Sequence, residues 1–160
     1  MSVARVFVGL GANLGDSKRS VLDALDALSR LPRTRRVAAS SLYRSAPVDA
    51  AGPDFINAVA ELQSALEPTE LLRALQAIEQ ASGRERPYRH APRTLDLDLL
   101  LYGQQQLRSP ALTLPHPRLH ERAFVLLPLL ELDPTLVHPG LGPLRAFLSA
   151  TASQPIEKLP

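Results

Sequence analysis

The sequence predicts an α+β fold in the order β-α-β-β-α-β, and three observations carry that prediction. Apolar residues alternate with period two in several segments, recur with helical spacing in others, and are separated by glycine and proline punctuation. A length of 160 residues with 45% hydrophobic content suits one domain with a substantial core, here taken as residues 1–160.

Val3 to Leu10 puts Ala4, Val6, Val8 and Leu10 on one face of a first strand, and Gly9, Gly11, Asn13 and Gly15 make a turn. Asp16 or Ser17 caps a helix carrying Val21, Leu22, Leu25, Leu28 and Leu31, which Pro32 ends. Val37 to Arg44 leans to β and leads into a loop, Ser45 to Pro53. Phe55 to Gln63 alternates again, with Ile56, Ala58, Ala60 and Leu62 opposing Phe55, Asn57, Val59 and Glu61. Pro68 suits the first position of a second helix bearing Leu71, Leu72, Leu75 and Ile78, closed by Gly83. Leu95 to Tyr102 is a strong strand, ended by Gly103. Helices are expected near His120 to Leu132 and, more weakly, Leu144 to Ala150. The order is that of a ferredoxin-like βαββαβ sandwich: a mostly antiparallel sheet, two helices on one face and a C-terminal helical extension.

Composition narrows the function. Zero Cys removes disulfides, thiolate metal sites and cysteine nucleophiles. Four Phe, three Tyr, no Trp and a net charge of +2 argue against a nucleic-acid surface. An RNA-binding module with this element order would need an aromatic strand that is absent. The start does not read as a signal peptide, and Phe124 to Leu130 is too short to span a bilayer. A cytoplasmic protein without a membrane partner is expected.

The sharpest chemical feature is Asp96-Leu97-Asp98 inside an apolar strand. Residues two apart share a face, so the carboxylates sit side by side while Leu95, Leu97, Leu99 and Leu101 take the opposite face. Such a pair is costly unless a cation neutralises it, and two carboxylates with open positions suit Mg²⁺. The preceding loop, Arg84 to Arg93, holds four Arg against one Glu, and guanidinium forks match phosphate oxygens. Carboxylates for a metal beside several arginines suit a polyphosphate substrate; solvated surface charge is the plainer alternative. Gly9-Leu10-Gly11 misses the dinucleotide-binding spacing, no P-loop is present, and His116 and His120 lack a third metal ligand.

The twelve-residue segment Arg89-His90-Ala91-Pro92-Arg93-Thr94-Leu95-Asp96-Leu97-Asp98-Leu99-Leu100 resembles the signature of the 6-hydroxymethyl-7,8-dihydropterin pyrophosphokinases. Gly9 to Gly15, Ser41 to Pro47, Phe55 to Val59, Gln76 to Glu79 and Leu114 to Phe124 resemble further family segments in family order. The resemblance implies transfer of the β,γ-pyrophosphoryl group of ATP to the pterin hydroxymethyl oxygen, with two Mg²⁺ ions held by Asp96 and Asp98. It implies that Arg84 and Arg93 contact the transferred phosphates, and that Gln76, Arg86, Arg89, Leu99, Thr113, His116 and Arg122 bind ATP. By the same resemblance Ser45, Ala46, Val48, Phe55, Asn57 and Phe124 bind the pterin, the two Phe as a stacking pair and Asn57 at the ring edge. Glu79 falls near this site, and a monomer is expected. Ala12, Ala46 and His90 depart from the commonest family pattern. A metal-dependent nucleotidyltransferase using the same Asp pair is the alternative enzymatic reading; it would release pyrophosphate rather than AMP.

Overall fold

The computed structural model describes residues 2–47, 52–83 and 95–160. The predicted order is present: β1 (Ala4–Ala12), α1 (Ser17–Leu28), β2 (Thr34–Ala39), β3 (Tyr43–Ser45), β4 (Phe55–Ser64), α2 (Pro68–Gly83) and β5 (Asp96–Tyr102). A C-terminal part follows with β6 (Leu107–Arg108), β7 (Thr113–Leu114), α3 (Ala123–Leu132), β8 (Val137–His138) and β9 (Gly142–Pro143). A 3-10 turn (Leu144–Phe147), α4 (Leu148–Thr151) and β10 (Ile156–Lys158) complete the described elements.

The main sheet runs β10-β3-β4-β1-β5, with β2 also on β4, and each of these pairings is antiparallel. The alternation predicted for β1 and β4 divides the apolar residues between two faces. Val6, Val8, Leu10, Ile56, Ala58, Ala60 and Leu62 pack with α1 and α2. Phe7 and Val59 point the other way and pack with Val125, Leu126 and Leu129 of α3. The extension is therefore the second outer layer, and the sheet is buried on both sides over much of its area.

Local departures from the sequence prediction have identifiable causes. The Asp16 carboxylate caps α1 through the Arg19 amide at 3.1 Å. The helix stops at Leu28 instead of running to Pro32, because the amides of Ser29, Arg30 and Leu31 turn to carbonyls three residues back. The single strand expected over Val37 to Arg44 is split. Ser40 exchanges bonds with Val59, its amide donating to the Val59 carbonyl and its hydroxyl accepting from the Val59 amide. Leu101 does not share a face with Leu97 and Leu99. An irregularity opposite Phe7 and Val8 sends both Leu100 and Leu101 toward α3. Helix α3 begins at Ala123, after turns rather than helix at Arg118 to Glu121. Strand β10 is too short to show periodicity and was not expected.

Helix α3 is latched to β3 at its C-terminal end. The Glu131 carboxylate accepts from the Ser41 amide, the Ser41 hydroxyl and the Tyr43 hydroxyl, at 2.9, 3.0 and 2.6 Å. Burial pushes the Glu131 pKa up, but the hydrogen bonds from Tyr43 and Ser41 outweigh it and hold the group below its ordinary value. Burial, reinforced by the neighbouring carboxylate, pushes the Tyr43 hydroxyl up. A carboxylate depressed in the folded state adds stability above its unfolded pKa, and that stability is lost as pH falls through the folded value. Tyr43→Phe is therefore expected to cost about 1 kcal/mol at pH 7 and less at pH 3. Urea unfolding at the two pH values checks this; an equal cost at both would contradict the charged latch.

Candidate active site

The register of three strands builds the site. Asn57 on β4, Gly11 on β1 and Asp96 on β5 are direct cross-strand neighbours; the next row is Val59, Gly9 and Asp98. Both rows face α3, the face opposite the α1–α2 core, because the intervening residues Leu10, Ala58 and Leu97 are committed to that core. The middle strand contributes only glycines to these rows. A Cβ on Gly11 would lie 3.2 Å from Asn57 Oδ1 and 3.8 Å from the Phe55 ring, and one on Gly9 would lie 3.4 Å from Leu100. The glycines thus form an open floor.

Above that floor is a hollow of about 220 Å³. Ser45, Ala46, Phe55, Asn57, Asp96, Asp98, Arg122 and Phe124 line it together. These are eight of the residues singled out from sequence, drawn from β3, β4, β5 and the start of α3. The Asn57 side-chain amide is buried and donates to Ser45 Oγ at 2.7 Å, which fixes its orientation. The Arg122 guanidinium carbon lies 5.5 Å from the Phe124 ring centre.

A second hollow of about 280 Å³ opens on the far side of β5. Leu99, Thr113 and His116, all predicted nucleotide contacts, line it together with Leu72 and the segment Ser109 to Leu112. Asp98 lines both hollows, so it stands where they meet. His116 reaches it because its amide donates to the Leu100 carbonyl at 2.9 Å on the open edge of β5. His116 Nδ1 accepts the Arg118 amide at 3.1 Å, which leaves the proton of the neutral ring on Nε2, 4.0 Å from Asp98 Oδ1. Burial lowers the His116 pKa; Asp98 opposes this, and Arg122 and Arg118 add to it. The ring is therefore a neutral N–H donor at pH 7.

Gln76 is exposed on α2, one turn beyond Leu72, and does not line either hollow among the described residues. Val48, Arg84, Arg86, Arg89, His90 and Arg93 lie outside the described residues. Sequence reasoning missed Gly9 and Gly11 as the floor. Two glycines at i and i+2 inside an alternating strand are the signal for a close approach on one face. It also left Glu79 without a definite role. Glu79 Oε2 accepts the Leu97 amide at 2.8 Å, between the two aspartates, and so ties α2 to the outer edge of β5. Among the described residues no group of three metal-binding side chains occurs; the aspartates form a pair.

Comparison with known proteins identifies the family. The model of the family 7,8-dihydro-6-hydroxymethylpterin-pyrophosphokinase (HPPK) matches residues 7–134. A 2-amino-4-hydroxy-6-hydroxymethyldihydropteridine pyrophosphokinase of Pseudomonas aeruginosa is 49% identical over 159 residues, covering 99% of this chain and 98% of that protein. A Haemophilus influenzae protein of the same name is 43% identical over 135 residues, 84% of each chain. A solved HPPK-DHPS in complex with substrates has the same fold, with a TM-score of 0.74 at 11% identity. That similarity covers 94% of this chain but only 43% of the solved one. The chain belongs to the HPPK family. Its activity is that of a pyrophosphokinase, a transferase of folate biosynthesis.

Removing the Glu79 carboxylate is expected to expose the Leu97 amide. Hydrogen exchange at that amide should accelerate by about tenfold or more in Glu79→Ala, with β1 amides unchanged. Unaltered exchange at Leu97 would contradict the tie between α2 and β5.

Proposed function

We propose that the protein transfers the β,γ-diphosphoryl group of ATP to the hydroxymethyl oxygen of 6-hydroxymethyl-7,8-dihydropterin, releasing AMP. The observation that carries this assignment is the position of Asp98 at the junction of two differently built hollows. One hollow has two aromatic rings and a fixed amide, which suits a flat heterocycle with donors and acceptors on its edge. The other has a neutral imidazole and small polar residues beside the open edge of β5, which suits a nucleotide.

Phe55 and Phe124 stack on the pterin faces in this proposal. With one Asn57 amide proton on Ser45, the second N–H and Oδ1 pair with the ring edge, while Ser45 and Ala46 close the rim. Leu99, Thr113 and His116 bind ATP, with Gln76 a further contact from α2. Arg122 grips the nucleotide from the aromatic side, leaning on Phe124. Arg84 and Arg93 bind the transferred phosphates, Arg86 and Arg89 the remaining charge, and Val48 the pterin, as the family pattern implies for these residues.

The carboxylates fit a hard divalent cation. Asp98 is partly exposed, with 46% of its side chain accessible, and a pair of carboxylates leaves most of an octahedral shell for phosphate oxygens and water. Asp96 and Asp98 would hold two Mg²⁺ ions, which would neutralise phosphate charge and make the attacking hydroxyl more acidic. The protein's own contribution is alignment. The pterin oxygen attacks the β-phosphorus as the bond from that phosphorus to the AMP oxygen breaks, and both partners are held on opposite sides of Asp98. We further propose one pyrophosphokinase domain over residues 1–160, acting as a cytoplasmic monomer without nucleic-acid or membrane partners. Among the described residues no helix is long and apolar enough to cross a membrane. A nucleotidyltransferase would use the same Asp pair but would release pyrophosphate in place of AMP.

Phosphorus NMR of a reaction containing MgATP and the pterin tests the assignment. AMP and the pterin diphosphate should appear together; free pyrophosphate with an adenylylated product would contradict it. Asp96→Ala and Asp98→Ala are each expected to lower kcat on the order of a thousandfold. Steady-state assays at saturating Mg²⁺ check this, and near-normal turnover would remove the metal role. Gly11→Ala is expected to weaken pterin binding about tenfold and leave ATP binding unchanged, because the added methyl presses on Asn57 Oδ1. Calorimetry with each ligand separately decides; equal losses for both would contradict the floor.

A further inference from the structure

Helix α3 carries Phe124 and begins beside Arg122, yet no side chain of its own first turn caps it. Arg122 occupies the N-cap position and makes no side-chain capping bond. The free amide is satisfied from 31 residues downstream: Gln154 Oε1 accepts the Ala123 amide at 2.8 Å. The same side chain donates from Nε2 to the Glu121 carbonyl at 2.8 Å. One glutamine therefore clamps the backbone on both sides of Arg122.

The chain then crosses directly to the opposite wall of the aromatic hollow. Strand β10 pairs with β3, with Ile156 opposite Ser45, and the Leu159 amide donates to the Leu42 carbonyl at 2.9 Å. Ser45 is the residue that accepts the Asn57 amide. Residues 154–158 thus join the wall made by Ser45 and Ala46 to the wall made by Arg122 and Phe124. Phe124, Val125 and Leu126 pack α3 on the sheet, while the outer rim of the two walls stands apart. A hollow of about 320 Å³ lies there, bounded by Ala46, Pro47, Phe124 and Gln154. Beside it, Gln154 bonds the start of α3 and the following strand, β10, bonds β3.

We propose that Gln154 is a positioning residue of the pterin pocket, fixing Arg122 and Phe124 at a set distance from Ser45 and Ala46. The proposal rests on the reading of that pocket given above. Gln154 touches neither substrate; it acts through the start of α3.

The test is a double-mutant cycle on pterin affinity, measured by calorimetry, with Tm recorded for every variant. Gln154→Met keeps length and shape and removes both hydrogen bonds. It is expected to weaken pterin binding about five- to tenfold, the worth of roughly one net hydrogen bond. In a Phe124→Ala background the same change should weaken binding less than about twofold, since the group being positioned is gone. Gln154→Glu keeps the acceptor for the Ala123 amide and should retain more affinity than Gln154→Met. A merely structural residue would lower Tm and leave pterin affinity unchanged. Gln154→Met binding pterin like the parent, while Phe124→Ala binds it poorly, overturns this proposal and leaves the pocket reading standing. Normal binding by Phe124→Ala overturns the pocket reading itself and the proposal with it. Should Gln154→Met fail to fold, Gln154→Glu decides, because it loses the donor to the Glu121 carbonyl: a loss of about threefold or more in pterin affinity supports the positioning role, and parent-like affinity contradicts it.

Discussion

The antiparallel register of β4, β1 and β5 is the constraint on which the rest of the structure depends. It sets Asn57, Gly11 and Asp96 in one row and Val59, Gly9 and Asp98 in the next. Neighbouring strands are about 4.8 Å apart, so the amide and the first carboxylate of a row stand about 10 Å apart across a glycine floor. The register is not chosen by the site. It is fixed from behind, where Val8, Leu10, Ala58, Ala60, Leu97 and Leu99 must all face α1 and α2. A slip of one residue would turn those side chains toward α3 and the aspartates into the α1–α2 core. Folding and site geometry therefore share one determinant.

The edge of the sheet gives the second half of the arrangement. Strand β5 pairs with β1 on one side, and an open row of amides and carbonyls on the other would be a hazard. Glu79 takes the Leu97 amide and the His116 amide takes the Leu100 carbonyl. Both caps fall beside the aspartates, so the groups that protect the edge also bring α2 and a neutral imidazole to the junction of the two hollows. The near-zero net charge of +2 conceals this concentration of acid and base in one place.

Periodicity made β1, β4, α2 and the apolar half of β5 legible, because those segments are long enough for one face to be committed to a core. The twelve-residue segment around Asp96 and Asp98 carried the chemistry, since two carboxylates in an apolar strand have few other uses. What escaped sequence reasoning was set by tertiary contacts. The exchange between Ser40 and Val59 splits one strand into two, and the irregularity at Leu100 turns Leu101 to the other face. Gly9 and Gly11 looked like a failed nucleotide loop, because their function lies in what stands on the neighbouring strands. Gln154 carries no local signal at all; its partners, Glu121 and Ala123, are more than thirty residues away.

The central claim is that pterin and nucleotide meet across Asp98, and a crystal structure with Mg²⁺, the pterin and a non-hydrolysable ATP analogue tests it most directly. The pterin should lie between Phe55 and Phe124 over Gly9 and Gly11, with its hydroxymethyl oxygen facing the β-phosphate beside Asp96 and Asp98. A nucleotide in the aromatic hollow, or phosphates remote from both carboxylates, would contradict the account.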